Sequence, residues 1–126
     1  MTRHMRQIIL DFYHYIDSAD FDGLRQVMAE EAKVKLPNTR ELFDSREAYI
    51  AFSKDYPGRW YANVERIVEA EREVIAVTEI TNHEISFYVT AFFVIQDDQI
   101  IEMTEYWGDN GEAPQWRRDK GYCTKY

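Results

Sequence analysis

The stretch from Glu84 to Trp107 constrains this chain most, because its run of β-branched and aromatic residues suits the pleated, packed surface of a sheet. Ile85-Ser86-Phe87-Tyr88-Val89-Thr90-Ala91-Phe92-Phe93-Val94-Ile95 reads as one long strand. Ile100-Ile101-Glu102-Met103-Thr104-Glu105-Tyr106-Trp107 reads as its antiparallel return, across the polar turn Gln96-Asp97-Asp98-Gln99. Side chains alternate between faces, so Phe87, Val89, Ala91, Phe93 and Ile95 share one side, and Ser86, Tyr88, Thr90, Phe92 and Val94 the other. Neither side is polar. A helical layer is expected to cover one face and a second copy of the chain the other, with Phe93→Glu as the substitution that tests the interface.

The flanking segments predict how the helical layer arises. Met5, Ile8, Ile9, Phe12, Tyr15, Ile16 and Ala19 recur at three- and four-residue spacing, which predicts an amphipathic helix over Arg3 to Ser18. Asp20 can cap a short second helix, Phe21 to Ala29, that buries Leu24, Val27 and Met28. Ala32 to Leu36 alternates like a half-buried strand, ended by Pro37-Asn38, and Glu41-Leu42-Phe43 is its short partner. A third helix begins at Asp44 or Ser45 and runs to Tyr56, where Pro57-Gly58 breaks it. Trp60 to Glu69 and Val74 to Thr81 then alternate as strands and complete an antiparallel meander. Gly108 to Tyr126 shows little periodicity and is expected to be an irregular tail. The plan is α+β: a curved antiparallel sheet wrapped around three N-terminal helices.

Composition excludes several function classes. A chain of 126 residues makes one domain, 1–126, with a single core. Its 15 Lys and Arg against 23 Asp and Glu give a net charge of -8, which argues against nucleic acid or an anionic membrane as partner. The one basic cluster, Arg117-Arg118-Asp119-Lys120 with Lys125, reads as a solvated tail. Cys123 has no second cysteine to pair with, which fits a cytoplasmic setting. Ile8-Ile9-Leu10 is too short for the apolar part of a signal peptide, and nothing later approaches membrane-spanning length. Asp11, His14 and Asp17 stand at three-residue steps but belong to a solvated helix face rather than a metal site. No glycine-rich phosphate loop or nucleophile motif occurs, so no cofactor is expected.

Three stretches carry a family resemblance. They are Ser18-Ala19-Asp20-Phe21-Asp22-Gly23-Leu24; Leu36-Pro37-Asn38-Thr39-Arg40-Glu41 with Tyr56-Pro57-Gly58-Arg59-Trp60; and Glu105-Tyr106-Trp107-Gly108-Asp109 followed by Ala113-Pro114-Gln115-Trp116-Arg117. With the element order, they resemble SnoaL-like domains of the nuclear transport factor 2-like superfamily, and among these a bacterial branch without an assigned activity. The resemblance implies a cone-shaped, cystatin-like α+β barrel with an apolar cavity open at one end, and dimerisation through the outer sheet face. Chemistry across the superfamily runs from steroid isomerisation through polyketide ring closure, epoxide hydrolysis and dehydration to binding alone. Fold does not choose among them.

Steroid isomerases of that superfamily use a tyrosine on the first helix, an aspartate before a proline and a second aspartate in the meander. Matching the helix junction puts Phe12 and Leu36 at the first two positions, a one-gap match of the final hairpin puts Thr90 at the third, and none of the three can perform the proton transfer. The resemblance further implies that Met103, Glu105 and Trp107 line the cavity, which makes Glu105 the candidate acid–base residue; pairing with Arg66 or Arg117, or facing water through a local bulge, is the structural alternative. Trp60, Tyr61, Tyr106, Trp107 and Trp116 can clamp a flat ligand or simply fill the core. The candidate ligand-binding set is Phe12, Ile16, Asn38, Trp60, Tyr88, Thr90, Met103, Trp107 and Trp116. The expected partner is a small apolar or aromatic molecule, and the expected assembly a homodimer. A non-catalytic binding or interaction module is the second reading.

Overall fold

A computed structural model describes residues 4–126, so Arg3, the expected first residue of the opening helix, lies outside the described residues. The element order is α1 (Met5–Asp17), α2 (Phe21–Val27), β1 (Met28–Leu36), β2 (Glu41–Phe43), α3 (Arg46–Asp55), β3 (Tyr61–Glu69), β4 (Val74–Thr81), β5 (Ser86–Gln96), β6 (Gln99–Asp109) and α4 (Gln115–Lys120). The strands make one open sheet in the order β2-β1-β6-β5-β4-β3. From β3 to β6 it is the expected antiparallel meander. The join of β1 to β6 is parallel, which makes the sheet mixed. A parallel pair needs a long crossover, and the whole path from β2 to β5 supplies it.

Local chemistry sets the helix boundaries. Asp20 accepts a hydrogen bond from the Gly23 amide at 3.0 Å and Ser45 one from Ala48 at 3.2 Å, so each caps its helix through a side-chain oxygen. Helix α1 ends in a left-handed turn: Ala19 has φ 53°, with Asp20 N donating to Tyr15 O at 2.8 Å and Ala19 N to Ile16 O at 3.1 Å. The turn lays α2 against α1 so closely that a Cβ on Gly23 would stand 2.3 Å from the Tyr15 ring. Hydrogen bonds from backbone amides to side-chain carboxylates fix α1 to the edge strand at both ends. Arg6 N donates to Glu69 Oε1 at 3.1 Å and Ala62 N to Asp17 Oδ1 at 2.9 Å.

The helices pack on one face of the sheet. Ile8, Ile9, Phe12, Tyr13, Leu24, Val27 and Ile50 meet Val74, Ala76, Val89, Ala91, Phe93 and Met103 in the core. On β5 the inward residues are Phe87, Val89, Ala91 and Phe93, while Tyr88, Thr90, Phe92 and Val94 point outward. Phe93 is therefore core, its ring 5.6 Å from that of Phe12, and Phe92 is the residue that probes the outer face. Parity fails near the hairpin, where the register shifts between Val94 and Ile95. Ile100 is buried there while Ile101 is only half-buried, as a bulge requires. Beyond β6 the chain is not wholly irregular: α4 forms one short exposed helix.

Candidate active-site pocket

A pocket of about 250 Å³ opens between α1, α3 and the inner face of the sheet. Phe12, Tyr13 and Ile16 come from α1, Tyr49, Phe52, Ser53 and Lys54 from α3, and Ile80, Phe87, Val89, Glu105 and Trp107 from the strands. Tyr56, Gly58, Arg59 and Trp60, between α3 and β3, form the exposed side of its rim. Aromatic rings run along the wall in successive contact: Phe52 to Tyr56 and Tyr56 to Trp60 at 5.6 Å, Trp60 to Phe87 at 5.3 Å, and Phe87 to Trp107 at 4.5 Å. Trp60 is anchored by its indole N–H, which donates to Pro57 O at 2.6 Å. Gly58 has φ 93°, a conformation that favours glycine, and its position brings the backbone against that indole.

Glu105 is the one acidic side chain of the pocket wall among the described residues, and it is 3% exposed. Its β6 position opposite Ala91 aims it inward, between buried Met103 and half-buried Trp107. Neither Arg66 nor Arg117 pairs with it; among the described residues no cation reaches its carboxylate. Burial without a counter-charge pushes its pKa from 4.5 up to about 7, while the Tyr49 hydroxyl and the Trp107 indole facing it hold back part of that rise. Glu105 Oε1 and Trp107 Nε1 nonetheless each lack a partner at hydrogen-bonding distance, as does the buried Thr78 Oγ1. Desolvation also raises Tyr13 and Tyr49, and the neighbouring Glu105 charge adds to both shifts. Both phenols therefore stay protonated at neutral pH. Desolvated, unpaired groups of this kind are unusual in a finished core and suit proton transfer.

The structure sorts the residues expected at the site. Phe12, Ile16, Trp60, Glu105 and Trp107 meet in the pocket. Asn38 acts from outside it, accepting a hydrogen bond from Trp107 N at 3.0 Å and so fixing the strand that carries the indole. Met103 points inward but is packed in the core rather than along the wall. Tyr88 and Thr90 lie on the opposite face of the sheet because the inward parity of β5 is that of Phe87 and Val89; Tyr88 donates instead to Glu65 Oε1 at 2.9 Å. Trp116 stands on α4, 62% exposed, and does not line the pocket. Leu36, at the expected base position, is buried core.

Tyr13, Tyr49 and Thr78 are the polar neighbours that the sequence reading did not assign to the site. Tyr13 follows Ile9 by four residues, so the helical period places it with the core stripe, and Tyr49 lies on the apolar face of α3. Their hydroxyls were the available signal, since a phenol on a buried stripe needs a polar destination. Among the described residues no group of His, Cys, Asp and Glu side chains is placed to hold a metal ion. Among them, too, no helix is long and apolar enough to cross a membrane.

No curated protein matches the chain in sequence. Solved structures share its fold at low identity. A candidate ketosteroid isomerase from Kribbella flavida DSM 17836 is 20% identical, with TM-score 0.82 over 96% of this chain and 90% of that one. An NTF-2 like protein of unknown function from Burkholderia xenovorans LB400 is also 20% identical, with TM-score 0.80 over 96% and 94%. A candidate SnoaL-like polyketide cyclase from Jannaschia sp. CCS1 is 18% identical, with TM-score 0.71 over 85% and 90%. The family model of the SnoaL-like domain matches residues 9–103, from within α1 to the first half of β6. The chain belongs to the SnoaL-like domain family, within the nuclear transport factor 2-like fold.

Proposed function

We propose that the pocket binds a small apolar or aromatic molecule and that Glu105 moves a proton to or from it. The burial of the Glu105 carboxyl on an apolar pocket wall, with no cation beside it and Oε1 without a partner, carries this reading. A carboxyl with a pKa near 7 exists in both forms at neutral pH, as a group that both removes and returns a proton must. Tyr13 and Tyr49, held protonated beside it, can donate hydrogen bonds to an oxygen that gains negative charge. The arrangement supports acid–base chemistry of the isomerase, cyclase or hydrolase type, carried by the chain's own groups. It favours an enzyme over a passive binding module, because polar groups converge where a module needs only apolar lining.

A neutral carbon acid, 2-tetralone in D2O, tests the reading without knowledge of the natural substrate. The protein should speed exchange of the protons beside the ketone, and Glu105→Gln should slow that catalysed exchange by about 10²-fold. Binding of 2-tetralone with no change in exchange on Glu105→Gln would leave the module.

The proposed assembly is a homodimer through the outer face of the sheet. Ile75, Val77, Phe92, Val94 and Tyr106 form a contiguous outward surface across β4, β5 and β6. Covering such an apolar face with its own copy is the usual solution in a symmetric dimer.

A further inference from the structure

The pocket's charged rim carries an inference that rests on the binding reading above and narrows its ligand. Glu105 apart, the charged residues lining the pocket are Lys54 and Arg59, both cationic, in a chain whose net charge is -8. Lys54 stands in the last turn of α3 with its ammonium 5.6 Å from the Phe21 ring, and Arg59, on the loop after α3, lines the same pocket. Neither forms an ion pair with a carboxylate among the described residues.

Asp55 follows Lys54 and is exposed, and the acids around the α1–α2 junction have partners of their own. Asp17 accepts from Ala62 N, Asp20 caps Gly23, and Asp22 pairs with Arg25. Arg59 is held in place by donating to Trp60 O and, at 2.6 Å, to Asp17 O, and by stacking 4.3 Å above the Tyr61 ring. Those bonds go to carbonyl groups, so they position the guanidinium without neutralising it, and they leave it donors to spare. A helix C-terminus alone would account for Lys54. It does not account for an oriented, unneutralised arginine on the same rim.

We infer that the pocket selects a small aromatic or apolar acid, its carboxylate held at the rim by Lys54 and Arg59 and its ring carried inward along the aromatic wall toward Glu105. The polarity of the site then orients the ligand. The anionic end stays at the mouth beside the two cations, and the carbon skeleton reaches the buried carboxyl.

A matched pair of probes tests the inference: 2-naphthoate and its neutral counterpart 2-naphthamide, titrated against tryptophan fluorescence at low ionic strength. Naphthoate should bind about fivefold more tightly, as two partly exposed ion pairs allow, and added salt should narrow the gap. Lys54→Gln and Arg59→Gln should each reduce the preference for naphthoate over naphthamide, and the double variant should abolish it. Lys54→Gln leaves the rim's backbone hydrogen bonds intact, so its effect does not depend on how the loop tolerates loss of Arg59. Equal binding of the two probes, or a preference that survives the double variant, would overturn the inference and leave the apolar-pocket reading standing. Failure of both probes to bind would overturn both.

Discussion

Burial of Glu105 without a cation makes its proton part of the folding free energy. Its pKa lies higher in the folded state, about 7 against 4.5, so the native protein keeps a proton that the unfolded chain has already released. The favourable contribution is whole below pH 4.5 and is lost as pH rises through about 7. The loss is on the order of 3 kcal/mol. Chemical denaturation of wild type and Glu105→Gln across this range should show the two diverging, with the variant the more stable at pH 8. Parallel curves would contradict that account. Phe12 gives a second measurement at this scale: at 1% exposure it touches Tyr13, Tyr49 and Phe93. Phe12→Ala should cost about 3 kcal/mol in the same assay, because one face of the ring borders space that is already open. Glu105 itself was legible in the sequence as an ionisable residue in register with Met103 and Trp107. Tyr88 and Thr90 were not, because both faces of β5 are apolar and alternation then carries no sign.

The α1–α2 junction decides how the helices close over the pocket, and its chemistry is local enough to test. Ala19 adopts a left-handed conformation that a Cβ disfavours, at the position where helices commonly place glycine. Ala19→Gly should therefore stabilise the fold by about 0.5–1 kcal/mol. Four residues on, Gly23 is constrained by space, and Gly23→Ala should cost about 1–3 kcal/mol through the Tyr15 ring. Thermal unfolding of the two variants should shift in opposite directions. Strand β4 and strand β2 follow the bounds that alternation and turn residues imply. Strand β1 starts earlier, at Met28, because pairing to β6 extends it into a segment whose own sequence suits a helix. That parallel pairing joins residues about seventy positions apart, and no local pattern announces it.

At the scale of the molecule, the two faces of the sheet differ: the inner face builds the core and the pocket, and the outer face is the one on which the proposed dimer would form. Phe92→Glu should abolish the proposed dimer in sedimentation at micromolar concentration with the monomer still folded, since the side chain is only half-buried and faces outward. A wild type already monomeric, or a dimer indifferent to that charge, would remove the interface. The helices, meander and pocket-facing hairpin were readable from periodicity, whereas the pocket's depth was not, because it depends on how Trp60, Phe87 and Trp107 pack together. The central claim is that this pocket holds a carboxyl poised to exchange a proton at neutral pH. A ¹³C NMR titration of the Glu105 side-chain carboxyl, assigned by the signal missing in Glu105→Gln, measures it directly. The account predicts a midpoint near 7, and a midpoint at the ordinary 4.5 would contradict it.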